Sequence, residues 1–210
     1  MPKHDIPKYK KIEIFDKFKP ARIKFKDVFD LKGFYDALHD WLLEYEWKDQ
    51  ATGFDHWETF YGEILGPGGF KNSMLFTWKV TKDSGSDAYQ YFLDLYFRCI
   101  AISKVEIVKE GNKLKVNKGE VEMKVHAYIE EKYKDNFKGN KLLEPFMNLF
   151  SNRVYRKTTD QHKKIIYQET QMFLNFVKQY LKMKRYLPYE ETKSFFDRQA
   201  WPSHQKNNEE

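Results

Sequence analysis

The sequence predicts an α+β protein: a curved antiparallel sheet of about five to seven strands packed against a long C-terminal helix, with one helix near the N-terminus. Apolar residues recur at helical spacing between residues 31 and 45, then alternate with polar residues from residue 57 to about 141. Helical spacing returns after residue 141 and continues to residue 185. Because 210 residues with 41% hydrophobic content bury a sizeable core, we expect one domain with appendages.

The N-terminal segment holds the whole net charge of the chain. Residues 1–26 contain nine Lys or Arg and three acidic residues, which matches the net charge of +6. The other 184 residues contain 28 basic residues (37 less nine) and 28 acidic residues (31 less three). We therefore expect binding of a nucleic acid or another anionic surface to use this segment. The cations predicted for this role are Lys8, Lys10, Lys11, Arg22, Lys24 and Lys26.

The chain is predicted to begin with a flexible basic lead over residues 1–10, which two prolines interrupt. A single domain is expected over residues 11–187. Its first strands are predicted at residues 11–15 and 22–29. Three cations share one face of the second strand, which suits either an edge strand protected against aggregation or a surface that binds phosphates.

A helix and then five strands are predicted next. Asp30 is the expected N-cap of the helix, and the loop over residues 48–53 ends it. The third of the following strands is apolar on both faces, which predicts a central strand covered on both sides or curled around a core. The predicted strands cover residues 56–65, 73–82, 88–103, 104–109 and 113–132.

Two helices are predicted after the strands. The first covers residues 142–155, and the second covers about 161–185, beginning after the cap candidates Thr159 and Asp160. The tail over residues 188–210 holds three aromatic residues and then becomes polar, so we expect it to be partly disordered. The apolar stripe of the longer helix consists of Ile166, Thr170, Phe173, Val177, Tyr180 and Lys184.

The polar faces of the strands hold the residue types of acid–base chemistry. Glu122, Lys124 and His126 alternate along one predicted strand, and Asp94 and Arg98 interrupt another. Aligned strands would bring an acid, a base and an imidazole together, as general acid–base catalysis requires. Cross-strand ion pairs on a wet sheet face use the same residues, and this structural interpretation is preferred. We expect Asp94 and Arg98 to be buried and paired with each other, because their strand is so apolar.

No pattern predicts a metal site, a cofactor or a catalytic nucleophile, so an enzyme is the least favoured class. The six histidines are scattered, and none belongs to an HxH or HExxH pattern. Cys99 lies in an apolar run and is expected to be buried and inert. Since no apolar run approaches the roughly 18 residues of a membrane span and the N-terminus lacks a signal peptide, we expect a soluble, cytoplasmic protein.

The order of elements over about residues 12–185 resembles that of the helix-grip proteins, the START and Bet v 1-like superfamily. In that superfamily a curved antiparallel sheet wraps a C-terminal helix around a ligand cavity. This chain has one longer helix where the superfamily usually has two short ones, and a second helix precedes its long helix. No site residue follows from the resemblance.

The first hypothesis for function is a noncatalytic binding module for an apolar small molecule or lipid, held in an aromatic-lined groove between sheet and C-terminal helix. A packed core would use the same side chains. The alternative is a structural or assembly subunit that binds a polyanion, a membrane surface or a protein through its basic N-terminal segment and aromatic tail. The predicted lining residues of the groove are Trp57, Phe76, Trp78, Tyr91, Phe97, Phe173 and Val177.

Overall fold

A computed structural model describes residues 6–7, 9–16, 19–51, 58–67, 70–109, 112–138 and 144–186. Within these ranges the chain forms an antiparallel sheet of seven strands and four α-helices, which confirms the α+β prediction. Trp57, Lys8 and the predicted tail over residues 188–210 lie outside the described residues.

The sheet is open and is built around two long strands. The strand bounds are β1 Lys11–Glu13, β2 Ala21–Phe29, β3 Lys48–Asp49, β4 Glu58–Leu65, β5 Lys71–Asp83, β6 Tyr89–Lys109 and β7 Asn112–Glu131. Strands β6 and β7 pair with each other over most of their lengths. At one edge β7 pairs with both β1 and β2, and at the other edge β5 lies between β6 and the short strands β3 and β4.

The helices lie on one face of the sheet. Their bounds are α1 Leu31–Glu44, α2 Asp135–Lys138, α3 Met147–Arg153 and α4 Arg156–Tyr186. The ring of Trp41 in α1 lies 4.9 Å from that of Phe173 in α4, and Tyr35 in α1 lies 4.8 Å from Trp78 in β5. Both helices and the sheet therefore share one apolar core. No helix in the described part of the chain is both long enough and apolar enough to cross a membrane.

The apolar stripe predicted for the C-terminal helix faces this core. Ile166, Thr170, Phe173 and Val177 are fully buried. Cys99 is also buried, and burial raises the pKa of its thiol to about 12, so the thiol stays protonated near neutral pH. The predicted interior role of Cys99 is confirmed.

A β-bulge corrects the predicted strand boundary at residue 103. The pairing register shifts between Ile100 and Ser103, and Ala101 adopts a φ of 55°. One extra residue is accommodated there, so the predicted strands over residues 88–103 and 104–109 are a single strand, β6. The predicted loop over residues 48–53 also begins with a two-residue strand, β3, which pairs with β5.

Asp30 is the N-cap residue of α1, as predicted, but its side chain does not cap the helix, and Thr159 is not a cap. The side chain of Asp30 makes no capping hydrogen bond, and the first backbone N–H of α1, on Leu31, instead donates to Oδ1 of Asn117 at 3.3 Å. Helix α4 begins at Arg156, so Thr159 lies inside it. The Thr159 hydroxyl instead shares a hydrogen bond of 2.8 Å with the Tyr89 hydroxyl.

A buried carboxylate joins α4 to the sheet. Oε1 of Glu169 accepts hydrogen bonds from Nε1 of Trp47 and from Nζ of Lys82, each at 2.8 Å. Trp47 follows α1 and Lys82 belongs to β5, so one side chain holds three parts of the fold. Seven residues earlier on α4, Nδ1 of His162 lies 2.5 Å from the Tyr91 hydroxyl of β6. Helix α4 is thus positioned by directional contacts as well as by apolar packing.

We expect Glu169→Gln to lower the free energy of unfolding by about 3 kcal/mol, because the partly buried ammonium of Lys82 loses its counter-charge. Urea denaturation followed by circular dichroism measures this loss. Glu44→Gln, an exposed change of the same chemistry on α1, is the control and is expected to change stability by less than about 0.5 kcal/mol. Equal stability of the two variants would contradict the anchoring role.

Candidate functional site

The candidate site lies on the face of the sheet opposite the helices, which we call the outer face. Leu93, Leu95 and Phe97 of β6 are buried in the core, so the alternating residues between them point to the outer face. Pairing aligns these residues with neighbours from β5, β7 and β2. Three adjacent rows are Lys79, Asp94 and His126; Thr77, Tyr96, Lys124 and Arg22; and Leu75, Arg98, Glu122 and Lys24.

Ion pairs join β2 and β7 on the outer face. Glu122 accepts from Nε of Arg22 at 2.9 Å and lies 3.4 Å from Nζ of Lys124. Nζ of Lys24 lies 2.8 Å from Glu120, and this hydrogen bond lowers the pKa of the Glu120 carboxyl. The carboxylates of β7 thereby neutralise two of the cations that were predicted to bind a polyanion.

Arg98 stands apart from these pairs. It is exposed and takes part in none of the salt bridges among the described residues. The predicted Asp94–Arg98 pair is wrong, because residues four apart on one strand are separated by about 13 Å along it. Glu122 lies opposite Arg98, but its Oε1 forms salt bridges with Arg22 and Lys124.

A groove of about 240 Å³ lies beside Arg98. Its apolar part comes from Phe60, Leu75 and Tyr96, which are 55%, 42% and 39% exposed. The apolar surface and the guanidinium are adjacent, so the groove can contact an apolar group and an anion together. The groove is bordered by Phe60, Leu75, Tyr96, Arg98, Glu122 and Lys124.

An acid and an imidazole are neighbours one row further along the outer face. Asp94 lies opposite His126, and Oδ1 of Asp94 accepts from the Tyr128 hydroxyl at 3.4 Å. Burial raises the pKa of Asp94, although Lys79 and Lys11 oppose this rise. Burial lowers the pKa of His126, although the charge of Asp94 opposes this fall. Strand register therefore brings an acid and an imidazole together, but Glu122 lies two rows away and belongs to the ion pairs.

The residues predicted to line a groove beneath α4 are packed together. Of the seven, the six described ones are 0–2% exposed. Phe76 stacks on Phe97 with 4.4 Å between ring centroids, and Trp78 lies 5.2 Å from Phe97. Phe97 also contacts the floor of the outer-face groove. The six described residues are Phe76, Trp78, Tyr91, Phe97, Phe173 and Val177.

The remaining predicted polyanion-binding residues have different surroundings. Lys10 is only 7% exposed and forms salt bridges with Asp135 and Glu130. Nζ of Lys11 lies 3.9 Å from the ring centroid of Tyr128, a cation–π contact. Lys26 is exposed on β2 and makes no salt bridge within the described part of the chain.

Sequence reasoning missed the apolar half of the groove. Tyr96 belongs to the strand that the sequence predicts to be apolar on both faces, and no sequence pattern marks Phe60 or Leu75. A register shift between Glu58 and Phe60 places Phe60 opposite Thr77, beside the outer-face row of Tyr96. Alternation of apolar and polar residues reveals two faces but not which one a helix covers, so no local signal marked these side chains as exposed.

Comparisons of the chain with protein-family models, curated proteins and solved structures give no match. Among the described residues, no group of three or more His, Cys, Asp or Glu is placed to hold a metal ion. The proposal for function therefore rests on the geometry of the outer face.

We expect His126 to titrate below its ordinary pKa of 6.5, and Asp94→Asn to lower that pKa further, since the Asp94 carboxylate favours the imidazolium. NMR titration of the imidazole protons measures both values. Because the folded pKa lies below the unfolded one, the contribution of His126 to stability is complete above pH 6.5 and is lost as pH falls toward the folded pKa. Asp40→Asn, an exposed change on α1, is expected to leave the titration unchanged. A higher His126 pKa in Asp94→Asn would overturn this account.

Proposed function

We propose that this chain is a noncatalytic binding module, and that its ligand joins an apolar body to an anionic group. One observation carries the proposal: the exposed guanidinium of Arg98, which forms no salt bridge among the described residues, borders the exposed apolar surface of Phe60, Leu75 and Tyr96. Removing such surface from water is favourable by roughly 25 cal/mol per Å². A carboxylate, phosphate or sulfonate can accept two parallel hydrogen bonds from one guanidinium.

The size of the groove limits the ligand. Pockets for drug-sized molecules have volumes of roughly 300–1,000 Å³, and this groove has about 240 Å³. A single ring or short chain fits, or one end of a longer molecule. Arg22 and Lys124 contact Oε1 of Glu122, and within the described part of the chain Glu122 forms no salt bridge with Arg98.

The helix-grip resemblance favours another location, between the sheet and α4, for an apolar small molecule or lipid. The large antiparallel sheet and the long C-terminal helix are compatible with it. A ligand there must move side chains that are 0–2% exposed, and disturbing a close-packed core costs stability. The outer-face groove needs no such rearrangement, so the geometry supports it better.

We expect naphthalenesulfonate, an aromatic body with one anionic group, to bind the groove. Arg98→Gln is expected to weaken binding about tenfold or more, because a hydrogen bond to a charged group is lost, and Tyr96→Ala to weaken it by removing ring contact. Fluorescence titration measures the affinities. Arg153→Gln and Tyr167→Ala, exposed changes on α3 and α4, are the matched controls.

Two results would count against the groove. One is equal weakening by the controls, which would indicate nonspecific adsorption. The other is a probe whose affinity changes only on replacing a core residue such as Phe173, which would favour a ligand beneath α4. Native mass spectrometry of the purified chain, followed by organic extraction, tests separately whether a small molecule is retained from the expression host.

A second proposal, a structural or assembly subunit that binds a polyanion, rests on the cations of β2. Arg22, Lys24 and Lys26 are all exposed on the outer face of this strand. The side chains of Arg22 and Lys24 are about half exposed, so an external anion can contact them beside their glutamates. Deleting residues 1–26 would not test this idea, because the deletion removes β1 and most of β2 from the sheet.

Replacing Arg22, Lys24 and Lys26 by Gln is expected to weaken binding to heparin and to lower the slope of log affinity against log salt by about 2 to 3. Affinity measured over a range of salt concentrations gives this slope. The control replaces three exposed lysines of α4 by Gln, so the net charge changes equally. The same loss in both triple variants would assign binding to overall charge and not to β2. The control lysines are Lys157, Lys164 and Lys178.

A further inference from the structure

A second concave site lies on the helix side of the sheet. It is a cavity of about 450 Å³ where the end of β7 meets α3 and the first two turns of α4. Its lining is polar apart from Ile12 of β1. It shares no lining residue with the outer-face groove and lies on the other side of the sheet.

The floor of this cavity is fixed by internal contacts. Glu131 is buried; its Oε1 accepts from the Tyr133 hydroxyl at 2.7 Å, and its Oε2 pairs with Lys134. Thr159 is buried and shares a hydrogen bond of 2.8 Å with the Tyr89 hydroxyl. A ligand therefore meets polar groups that are already ordered, which reduces the entropy lost on binding.

The charges of the lining are not balanced. Lys134 pairs with Glu131, and Nζ of Lys163 lies 3.2 Å from Oδ1 of Asp160. The third cation, Arg156, forms no salt bridge within the described part of the chain. Three cations face two carboxylates, and the excess positive charge lies on a guanidinium at the cavity.

We propose that this cavity binds a small polar ligand through a phosphate group. A guanidinium matches the geometry of phosphate oxygens and donates two hydrogen bonds to them. Lys163 adds a second cation once it releases Asp160, with which it forms a half-exposed pair. The side chains of Ser151 and Asn152 on α3 provide hydrogen-bonding groups for the rest of the ligand. The volume is within the usual range of roughly 300–1,000 Å³ for small-molecule sites.

Calorimetric titration with inorganic phosphate and with glycerol phosphate tests this proposal. Arg156→Gln is expected to weaken binding about tenfold, because a charge-assisted hydrogen-bond pair is lost. Asp160→Asn is expected to tighten it severalfold, because Lys163 becomes free. Tighter binding of glycerol phosphate would identify a phosphorylated metabolite as the ligand class, and equal binding would identify free phosphate.

Two controls match these charge changes away from the cavity: Lys178→Gln, 22 residues after Arg156 on α4, and Asp40→Asn on α1. Neither control is expected to change the affinity by more than about twofold. Absence of binding to either probe, or equal effects of each variant and its control, would overturn the proposal. Thermal melts verify that the exposed substitutions leave the fold intact. Arg156→Gln should leave naphthalenesulfonate binding unchanged, because the lining of this cavity is polar apart from Ile12, so failure at one site is distinguishable from failure at the other.

Discussion

The hydrogen bonds that Trp47 and Lys82 donate to the buried carboxylate of Glu169 set the position of α4, and much of the structure depends on that position. A buried carboxylate is costly unless it is paired and hydrogen-bonded, so its partners must come to it. The contact joins residues 122 positions apart in the chain for Trp47 and 87 positions apart for Lys82. Helix α4 is thereby held over one face of the sheet, and the opposite face stays open.

Several side chains on the outer face of the sheet are exposed to solvent, whereas most of those on the face that the helices cover are buried. Tyr96 lies in an apolar strand, yet no helix of the described part of the chain covers it, and it is 39% exposed. Its neighbour Arg98 forms no salt bridge among the described residues, while Oε1 of Glu122 contacts Arg22 and Lys124. Helix placement and ion pairing together create a surface that is both apolar and cationic, which neither would create alone.

Net charge along the chain is a poor guide to where a binding cation lies. The N-terminal segment holds the whole excess of +6, but carboxylates of β7 and α2 pair with Lys10, Arg22 and Lys24. The two candidate sites instead use Arg98 and Arg156, which belong to the part of the chain that is neutral by count. Salt bridges with the carboxylates of β7 and α2 neutralise part of the positive charge of the N-terminal segment.

The sequence by itself determined the features that depend on neighbours in the chain. Periodicity predicted the α+β class, most strands, the helices α1, α3 and α4 and the buried stripe of α4, because side-chain direction follows local backbone geometry. Only the tertiary structure decided the register that places Asp94 beside His126, the bulge at Ile100–Ser103 that joins two predicted strands, and the face that α4 covers. These features depend on pairing between distant segments and on inserted residues that shift strand alignment, neither of which a local pattern contains.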